Sequence, residues 1–438
     1  MQIILKNEKG IFKMRKLISL LLLTCFTIGS SIHAKDLGLN ISQINKNGLY
    51  STGDKITWTI KIGRLDSTHA KKIKYTVKLS GKKILKKGTA DLTISSPTIS
   101  VVSEKPGSMI LTIYAGNKHQ CSGALISYKE IKPSQPKPSD FDEFWKSKLA
   151  EQDKVPMNTK LTPETTDKNF NSWIITMDTI RGQKIHGRLA RPIDGKKFPA
   201  ILKLQYAGVY GLNSGGATND AKKGWLSLNI IAHDIPVNKN KEYYLNLKNS
   251  SLKSYTRIGN TDRETSYFLR MCLACSRAVD YISTRPDWDG KTIVVLGGSQ
   301  GGYQSIVAAG LNSKVTAIMA MVPAGCDLSG PVANRAVSWP YWWSKKETDP
   351  KIKNTARYFD AINFAYNIKC PALIGFGLGD ETSRAEGVMA AINVMKGKTK
   401  LIIQPNGEHQ GSGRKFYTHQ SNWKKALFNG KDVIPLKK

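Results

Sequence analysis

Thr292-Ile293-Val294-Val295-Leu296-Gly297-Gly298-Ser299-Gln300-Gly301-Gly302 is the stretch that decides the fold of this chain. Thr292 to Leu296 reads as a short buried strand, and Tyr303 to Leu311 as the amphipathic helix that follows. A serine flanked by glycines at a sharp strand-to-helix turn has its hydroxyl pushed out above the sheet, as a nucleophile elbow requires. The N–H of Gln300 then lies at a helix N-terminus, where its partial positive charge can stabilise an oxyanion. Without the strand and the helix, the same glycines would read as a flexible loop.

Outward from the elbow, strands alternate with helices from about residue 170. Buried strands are expected at 198–204, 226–232, 292–296, 315–322, 372–376 and 401–404, with helices near 264–284, 301–312, 354–367, 383–396 and 415–428. The alternation predicts an α/β fold, a doubly wound and mostly parallel sheet, with its ligand site outside the carboxyl ends of the strands. Ser299 sits at such an end.

A serine hydroxyl is a poor nucleophile at neutral pH, so it needs a histidine base and an acid that holds the imidazole tautomer. In the α/β-hydrolase fold these follow in the order Ser, acid, His. Only His409 and His419 follow Ser299. His409 lies in a glycine-bearing loop after the 401–404 strand, whereas His419 falls in a terminal helix, so His409 is the expected base. Asp380 follows the 372–376 strand through Gly377-Leu378-Gly379 and is the expected acid. Asp327 is the runner-up, Glu381 and Glu408 are weaker, and a helix-capping role is the plain alternative for Asp380. A second oxyanion donor is expected from the loop Gln205 to Gly211, after the 198–204 strand.

The N-terminal third differs. Lys13, Arg15 and Lys16 precede the apolar run Leu17 to Ile28, and Ser31-Ile32-His33-Ala34 supplies small residues. That order predicts an export signal over 1–34, with translation starting at Met14, and the run is too short to span a membrane. Cys25 follows Thr24, a poor match to a lipoprotein site, so a soluble exported protein is expected, periplasmic or extracellular. Residues 35–131 alternate with period two, as in Ile56, Trp58, Ile60 and Ile62, then Ile73, Tyr75, Val77 and Leu79. Further short strands at 92–94 and 109–114 complete the pattern of an immunoglobulin-like β-sandwich. Lys132 to Ser139, with three prolines, reads as a stiff linker, and a helix capped by Ser139 opens the 140–438 domain.

The net charge of +33 is spread along the chain, with 17 Lys and Arg against 6 Asp and Glu in 35–132. No arginine-aromatic cluster accompanies it, so a solvated basic surface is expected and no nucleic-acid partner; the alternative is a field that steers an acidic polysaccharide. Cys121, Cys272, Cys275, Cys326 and Cys370 are irregularly spaced and form no disulfide framework. Cys272 and Cys275 lie on a helix-like stretch and read as buried core thiols in preference to a redox or metal pair.

The segment from Asp140-Phe141-Asp142-Glu143-Phe144-Trp145 to the C-terminus resembles the acetyl xylan esterase and cephalosporin C deacetylase family, carbohydrate-esterase family seven. The resemblance rests on Gly182 to Gly187, Arg277 to Tyr281, Gly297 to Gly302, Gly377 to Asp380 and His409 to Gly413, of which Ser-Gln-Gly-Gly is the most specific. It implies the catalytic set Ser299, Asp380 and His409, and puts the second oxyanion N–H at Val209, where a tyrosine is usual. Three segments depart from the family pattern: Ala232 to Val237, Thr382-Ser383-Arg384 and Gln410. These bear on the acyl and alcohol pockets and leave the three catalytic positions intact. The resemblance also implies a homo-oligomer, which the preceding β-domain would have to accommodate.

The expected activity is removal of O-acetyl groups from carbohydrate, acetylated xylan or xylo-oligosaccharides, by an acyl-enzyme route that needs no metal or organic cofactor. Tyr210, Trp339 and Trp342 are candidate sugar-binding residues; for the Trp339 to Trp343 cluster, a stacking surface and a core position are equally open. Two rivals stand: a peptidase or other acyl hydrolase on the same triad, and a non-catalytic carbohydrate-binding or scaffold protein with a relict triad.

Overall fold

The computed structural model describes residues 39–62, 72–93, 96–115, 118–410 and 413–433. The expected export signal, with Met14 and Cys25, lies outside these residues, as do Ile94 and, in the histidine loop, Gly411 and Ser412.

Eight strands come first: β1 (Leu39–Gln43), β2 (Leu49–Tyr50), β3 (Lys55–Ile62), β4 (Lys72–Leu79), β5 (Lys83–Asp91), β6 (Thr98–Val102), β7 (Gly107–Ala115) and β8 (Lys118–Ile126). They form two sheets, ordered β1-β3-β6 and β2-β8-β7-β4-β5. Their apolar faces share one core of Ile56, Trp58 and Ile60 with Ile73, Val77, Met109 and Leu111, as the period-two alternation requires. One expectation fails: Leu92 and Thr93 are in a turn, and the strand is the preceding β5. Its Lys83 to Thr89 are exposed at the sheet edge, so there is no apolar alternation to read, and lysines there deter edge-to-edge pairing.

The rest of the chain opens with α1 (Phe141–Asp153), β9 (Lys160–Asp167), β10 (Phe170–Asp178), β11 (Lys184–Pro192), β12 (Phe198–Leu204), α2 (Gly215–Ala221), β13 (Leu226–Ile230) and α3 (Lys241–Asn249). It continues through α4 (Tyr267–Thr284), β14 (Trp288–Gly298), α5 (Gln300–Leu311), β15 (Ala317–Met321), α6 (Pro350–Phe359), α7 (Ala361–Ala365), β16 (Ala372–Gly377), α8 (Ala385–Val394), β17 (Thr399–Gln404) and α9 (Gly413–Phe428). These strands make one sheet in the order β17-β16-β15-β14-β12-β13-β11-β10-β9. From β13 to β17 neighbours pair in parallel, while β11, β10 and β9 extend the edge antiparallel.

The central parallel strands β14, β15 and β16 are apolar on both faces. Ile293 and Val295 join the core with α4 and α5, whereas Val294 faces Phe416 and Trp423 of α9. Strand β12 lies between β13 and β14, so the winding direction reverses there and a crevice opens at the carboxyl ends of β12 and β14. The loop after β12 and the elbow after β14 therefore face each other.

Local corrections have local causes. The helix expected over 354–367 is split into α6 and α7 at Asp360, whose carboxylate accepts from the Ile362 N–H at 3.0 Å. The same carboxylate accepts from the backbone of Asp327 and Leu328, and burial raises its pKa to about 7. Ser139 does not cap α1: the residue before the helix is Asp140, whose carboxylate bonds Tyr358 and Arg263 instead. Cys272 and Cys275 are buried in α4 and free, and among the described residues neither belongs to a group of side chains that could hold a metal ion. Among the described residues no helix is long and apolar enough to cross a membrane.

The proline-rich segment is pinned down rather than free. Ser134 donates from N and Oγ to the Asp327 carboxylate at 3.0 and 2.7 Å, and Arg335 donates to the Lys132 carbonyl at 2.9 Å. The sandwich is pressed against the α/β unit. Gly123 N–H donates to the Pro405 carbonyl at 2.8 Å, Asn406 Nδ2 to Ile41 at 2.7 Å, and Ala336 N–H to Ser80 at 2.9 Å. A Cβ on Gly123 would come within 2.4 Å of Leu378, so only glycine permits this approach.

Candidate active site

The elbow is strained where function needs it. Ser299 has φ 55° and ψ −119°, a conformation a side-chain-bearing residue adopts only when its surroundings hold it there. Its N–H donates to the Met321 carbonyl at 2.9 Å, and its own carbonyl accepts from Tyr303 and Ala324 at 3.0 and 3.1 Å. Gly297 and Gly301 are sterically required. A Cβ at Gly297 would lie 2.4 Å from the Gly301 backbone, and one at Gly301 would lie 2.3 Å from the Leu204 carbonyl. Gly298 meets nothing closer than 3.6 Å, so space does not demand a glycine there.

Ser299, His409 and Asp380 form one hydrogen-bonded chain. His409 Nε2 lies 2.9 Å from Ser299 Oγ, and Nδ1 lies 2.7 Å from Asp380 Oδ2. With Nδ1–H donating to the carboxylate, Nε2 is free to accept the serine proton. Asp380 is 1% exposed, and its Oδ1 accepts from the backbone of Thr382 and Ser383, both at 2.8 Å. The carboxylate therefore cannot swing away from the ring. A hydroxyl, a base and an orienting acid in this order can carry out nucleophilic attack on a carbonyl with proton transfer.

The other candidate acids are occupied elsewhere. Asp327 is 2% exposed and takes Ser134 and Arg335. Glu381 faces solvent near Arg384, and Glu408 approaches His119 at 3.8 Å. His419 lies on α9, away from the chain of bonds that ends on Ser299.

The loop after β12 carries the second expected donor, Val209, which is 8% exposed. His233 governs that loop, a role the sequence did not reveal. Its ring is fully buried, Nε2–H donates to the Gly208 carbonyl at 2.9 Å, and Nδ1 accepts from the Tyr267 hydroxyl at 2.6 Å. Burial lowers its pKa to about 4, so the ring is neutral and its tautomer is set by these two bonds. In a trans peptide the N–H points opposite the C=O, so fixing the Gly208 carbonyl fixes the direction of the Val209 N–H. Tyr255 packs edge-on to His233 at 4.8 Å and donates to the Gln300 side chain at 2.5 Å. The Gln205 side chain bridges Tyr210 and Ala232, each at 2.9 Å. The signal was the segment Ala232 to Val237 itself, a histidine directly after a buried strand.

Of the candidate sugar-binding residues, Trp342 is excluded by packing. It is 1% exposed, packs at a tilt on Phe268 at 4.9 Å, and spends its indole N–H on the Thr256 carbonyl, so no sugar face can reach it. Trp339 is half-buried and stacked against Phe268, with its backbone N–H on the Thr382 carbonyl next to the acid loop. Tyr210 donates to the Tyr206 carbonyl and packs at 4.9 Å on the Tyr206 ring, which is 60% exposed. Tyr206 is thus the exposed aromatic ring of this loop, a residue that sequence reasoning did not single out. A cavity of about 720 Å³ opens beside this loop, lined by Tyr206, Tyr210, Asn238, Lys239 and Lys241. A groove of about 830 Å³ runs behind the histidine loop, between Ile41 to Gln43 and Gln404 to Gly407. None of Ser299, Asp380 and His409 lines either space, so the hydrogen bonds locate the site and cavity size does not.

Comparison with known proteins gives the family and the fold. The family described as acetyl xylan esterase (AXE1) matches residues 124–427. The acetyl esterase Axe7A of Xylanibacter ruminicola is 32% identical over 356 residues, 80% of each chain. Among solved structures, an acetyl xylan esterase from Paenibacillus sp. R4 superposes with a TM-score of 0.59 at 24% identity, covering 69% of this chain and 98% of its own. Acetyl xylan esterase 1 from Thermoanaerobacterium sp. JW/SL YS485 gives 0.58 at 20% identity, covering 67% and 96%. These likenesses show the α/β-hydrolase fold.

Proposed function

The chain belongs to the acetyl xylan esterase family, whose members are carboxylic-ester hydrolases, and we propose that it is an exported serine esterase that removes O-acetyl groups from carbohydrate. The observation that carries the reading is the position of His409, 2.9 Å from Ser299 Oγ and 2.7 Å from Asp380 Oδ2. Family membership supports acetyl as the acyl group and a xylan-type sugar as the alcohol. The basic, apolar, small-residue order of residues 13–34 supports export.

In this mechanism His409 takes the Ser299 proton as Oγ attacks the acetyl carbonyl, and Asp380 stabilises the imidazolium. The N–H groups of Gln300 and Val209 stabilise the oxyanion, the former at the start of α5, where the first N–H groups have no intrahelical acceptor. His409 then gives that proton to the departing sugar oxygen as the ester C–O bond breaks, and water attacks the acyl-enzyme with His409 again as base, releasing acetate and restoring the Ser299 hydroxyl. Tyr206 and Trp339 flank the site as candidate sugar contacts.

Acetate release from acetylated xylo-oligosaccharides, measured beside cleavage of a peptide panel, tests the reading. Acetate without peptide cleavage is expected; peptide cleavage without acetate would overturn it in favour of a peptidase.

A further inference from the structure

We infer that His119, Cys121 and Glu408 form a binding site for a divalent cation of the zinc class, joining the sandwich to the loop that carries His409. His119 and Cys121 are two residues apart on β8, so their side chains share a face of that sheet. Glu408 arrives from the other unit, in the turn between β17 and the catalytic histidine. Their ligand atoms all lie within 4.8 Å of one another, and His119 Nε2 is 3.8 Å from Glu408 Oε1. Ligand atoms around a tetrahedral zinc stand roughly 3.3–3.8 Å apart, given metal–ligand bonds of about 2.0–2.3 Å. Small rotations of His119 and Glu408, whose side chains are 42% and 33% exposed, close the difference.

The donor set names the ion. One thiolate, one imidazole and one carboxylate suit zinc, whereas calcium and magnesium take oxygen ligands alone. Three protein donors leave a fourth position for water. Binding forms one metal–sulfur, one metal–nitrogen and one metal–oxygen bond; burial and the Glu408 charge push the Cys121 thiol up to about 12 without a cation, so the cation must displace that proton to solvent and binding should strengthen as pH rises. The acid loop borders the site as well, since a Cβ on Gly379 would lie 2.7 Å from Cys121 Cβ and 3.5 Å from Glu408 Cγ. A bound cation thus cross-links β8 to the loop before His409, beside the loop before Asp380, and takes no part in acyl transfer.

The test is spectroscopic and independent of esterase activity. The untagged protein is stripped with a chelator and titrated with Co²⁺, whose tetrahedral d–d bands and thiolate charge-transfer band report the donors directly. One equivalent is expected to bind with a charge-transfer band, and Zn²⁺ is expected to displace it. Cys121→Ser should abolish that band. His119→Ala, a change at a half-exposed side chain, with the fold checked by circular dichroism, should weaken binding by more than the roughly 10- to 100-fold that loss of a group hydrogen-bonded to a ligand costs. His419→Ala should bind as the unaltered protein does. Absence of the band in the unaltered protein, a band of unchanged strength in Cys121→Ser, or unchanged affinity in His119→Ala would overturn the inference.

Discussion

The two halves of the catalytic machinery are held by different kinds of packing. The elbow and the oxyanion loop are held from within the α/β unit, by glycine contacts around Ser299 and by the buried polar set His233, Tyr255, Tyr267 and Gln205. The acid and histidine loops are held from outside, by the sandwich: Gly123 meets Leu378 and Pro405, and Asn406 reaches Ile41. The lesson is that the sandwich acts as part of the active-site frame, and not as a tethered module. Perturbing it should disturb Asp380 and His409 while leaving the elbow intact.

The largest effect should come from the nucleophile itself. Ser299→Ala is expected to lower kcat by about 10⁴-fold or more with the fold unchanged, read as acetate release beside circular dichroism. A change in the sandwich tests the outside half. Gly123→Ala forces Leu378 and its loop to move, and a displacement of about 1 Å at catalytic groups can cost about a hundredfold in rate. A Gly123→Ala enzyme with full kcat would break the comparison.

On the inside half, His233→Ala should lower kcat by about ten- to a hundredfold, less than the 10²–10³-fold typical for outright loss of an oxyanion donor, with KM little changed. His233→Asn keeps a donor near the Gly208 carbonyl and should recover part of the loss. If His233→Ala instead raised KM and left kcat alone, the loop would be a substrate contact and not an oxyanion support.

The smallest effect is on stability against pH. His233 is buried and neutral, with its pKa lowered from 6.5 to about 4, so below 6.5 the unfolded chain takes up the proton that the folded chain refuses. The stability present above 6.5 is therefore lost progressively as pH falls toward 4. Urea unfolding across that window should show a steeper acid loss for the unaltered protein than for His233→Asn, and parallel curves would contradict the assignment.

Legibility in the sequence followed the same division. The parallel strands were readable because burial on both faces makes them continuous apolar runs, and position after successive strands was enough to select Asp380 and His409. The edge strands β9 and lysine-rich β5 escaped, since solvent-facing edges carry little apolar pattern, and the largely buried β10 and β11 were not read as separate strands. His233 and Tyr255 escaped because their partners are far apart in the chain, Gly208 being 25 residues and Gln300 being 45 residues away. Trp342 was open between core and surface because an aromatic cluster has no periodicity that tells them apart. The seam contacts of Gly123 are a tertiary property that no local spacing encodes.

The central claim is that Ser299 is the nucleophile of an acyl-enzyme. Acid-quenched protein, mixed rapidly with an acetyl ester and digested for mass spectrometry, measures it directly. The account predicts one acetyl group on the peptide containing Ser299, absent from Ser299→Ala; acetate release from folded enzyme with the acetyl group carried on another residue would contradict it.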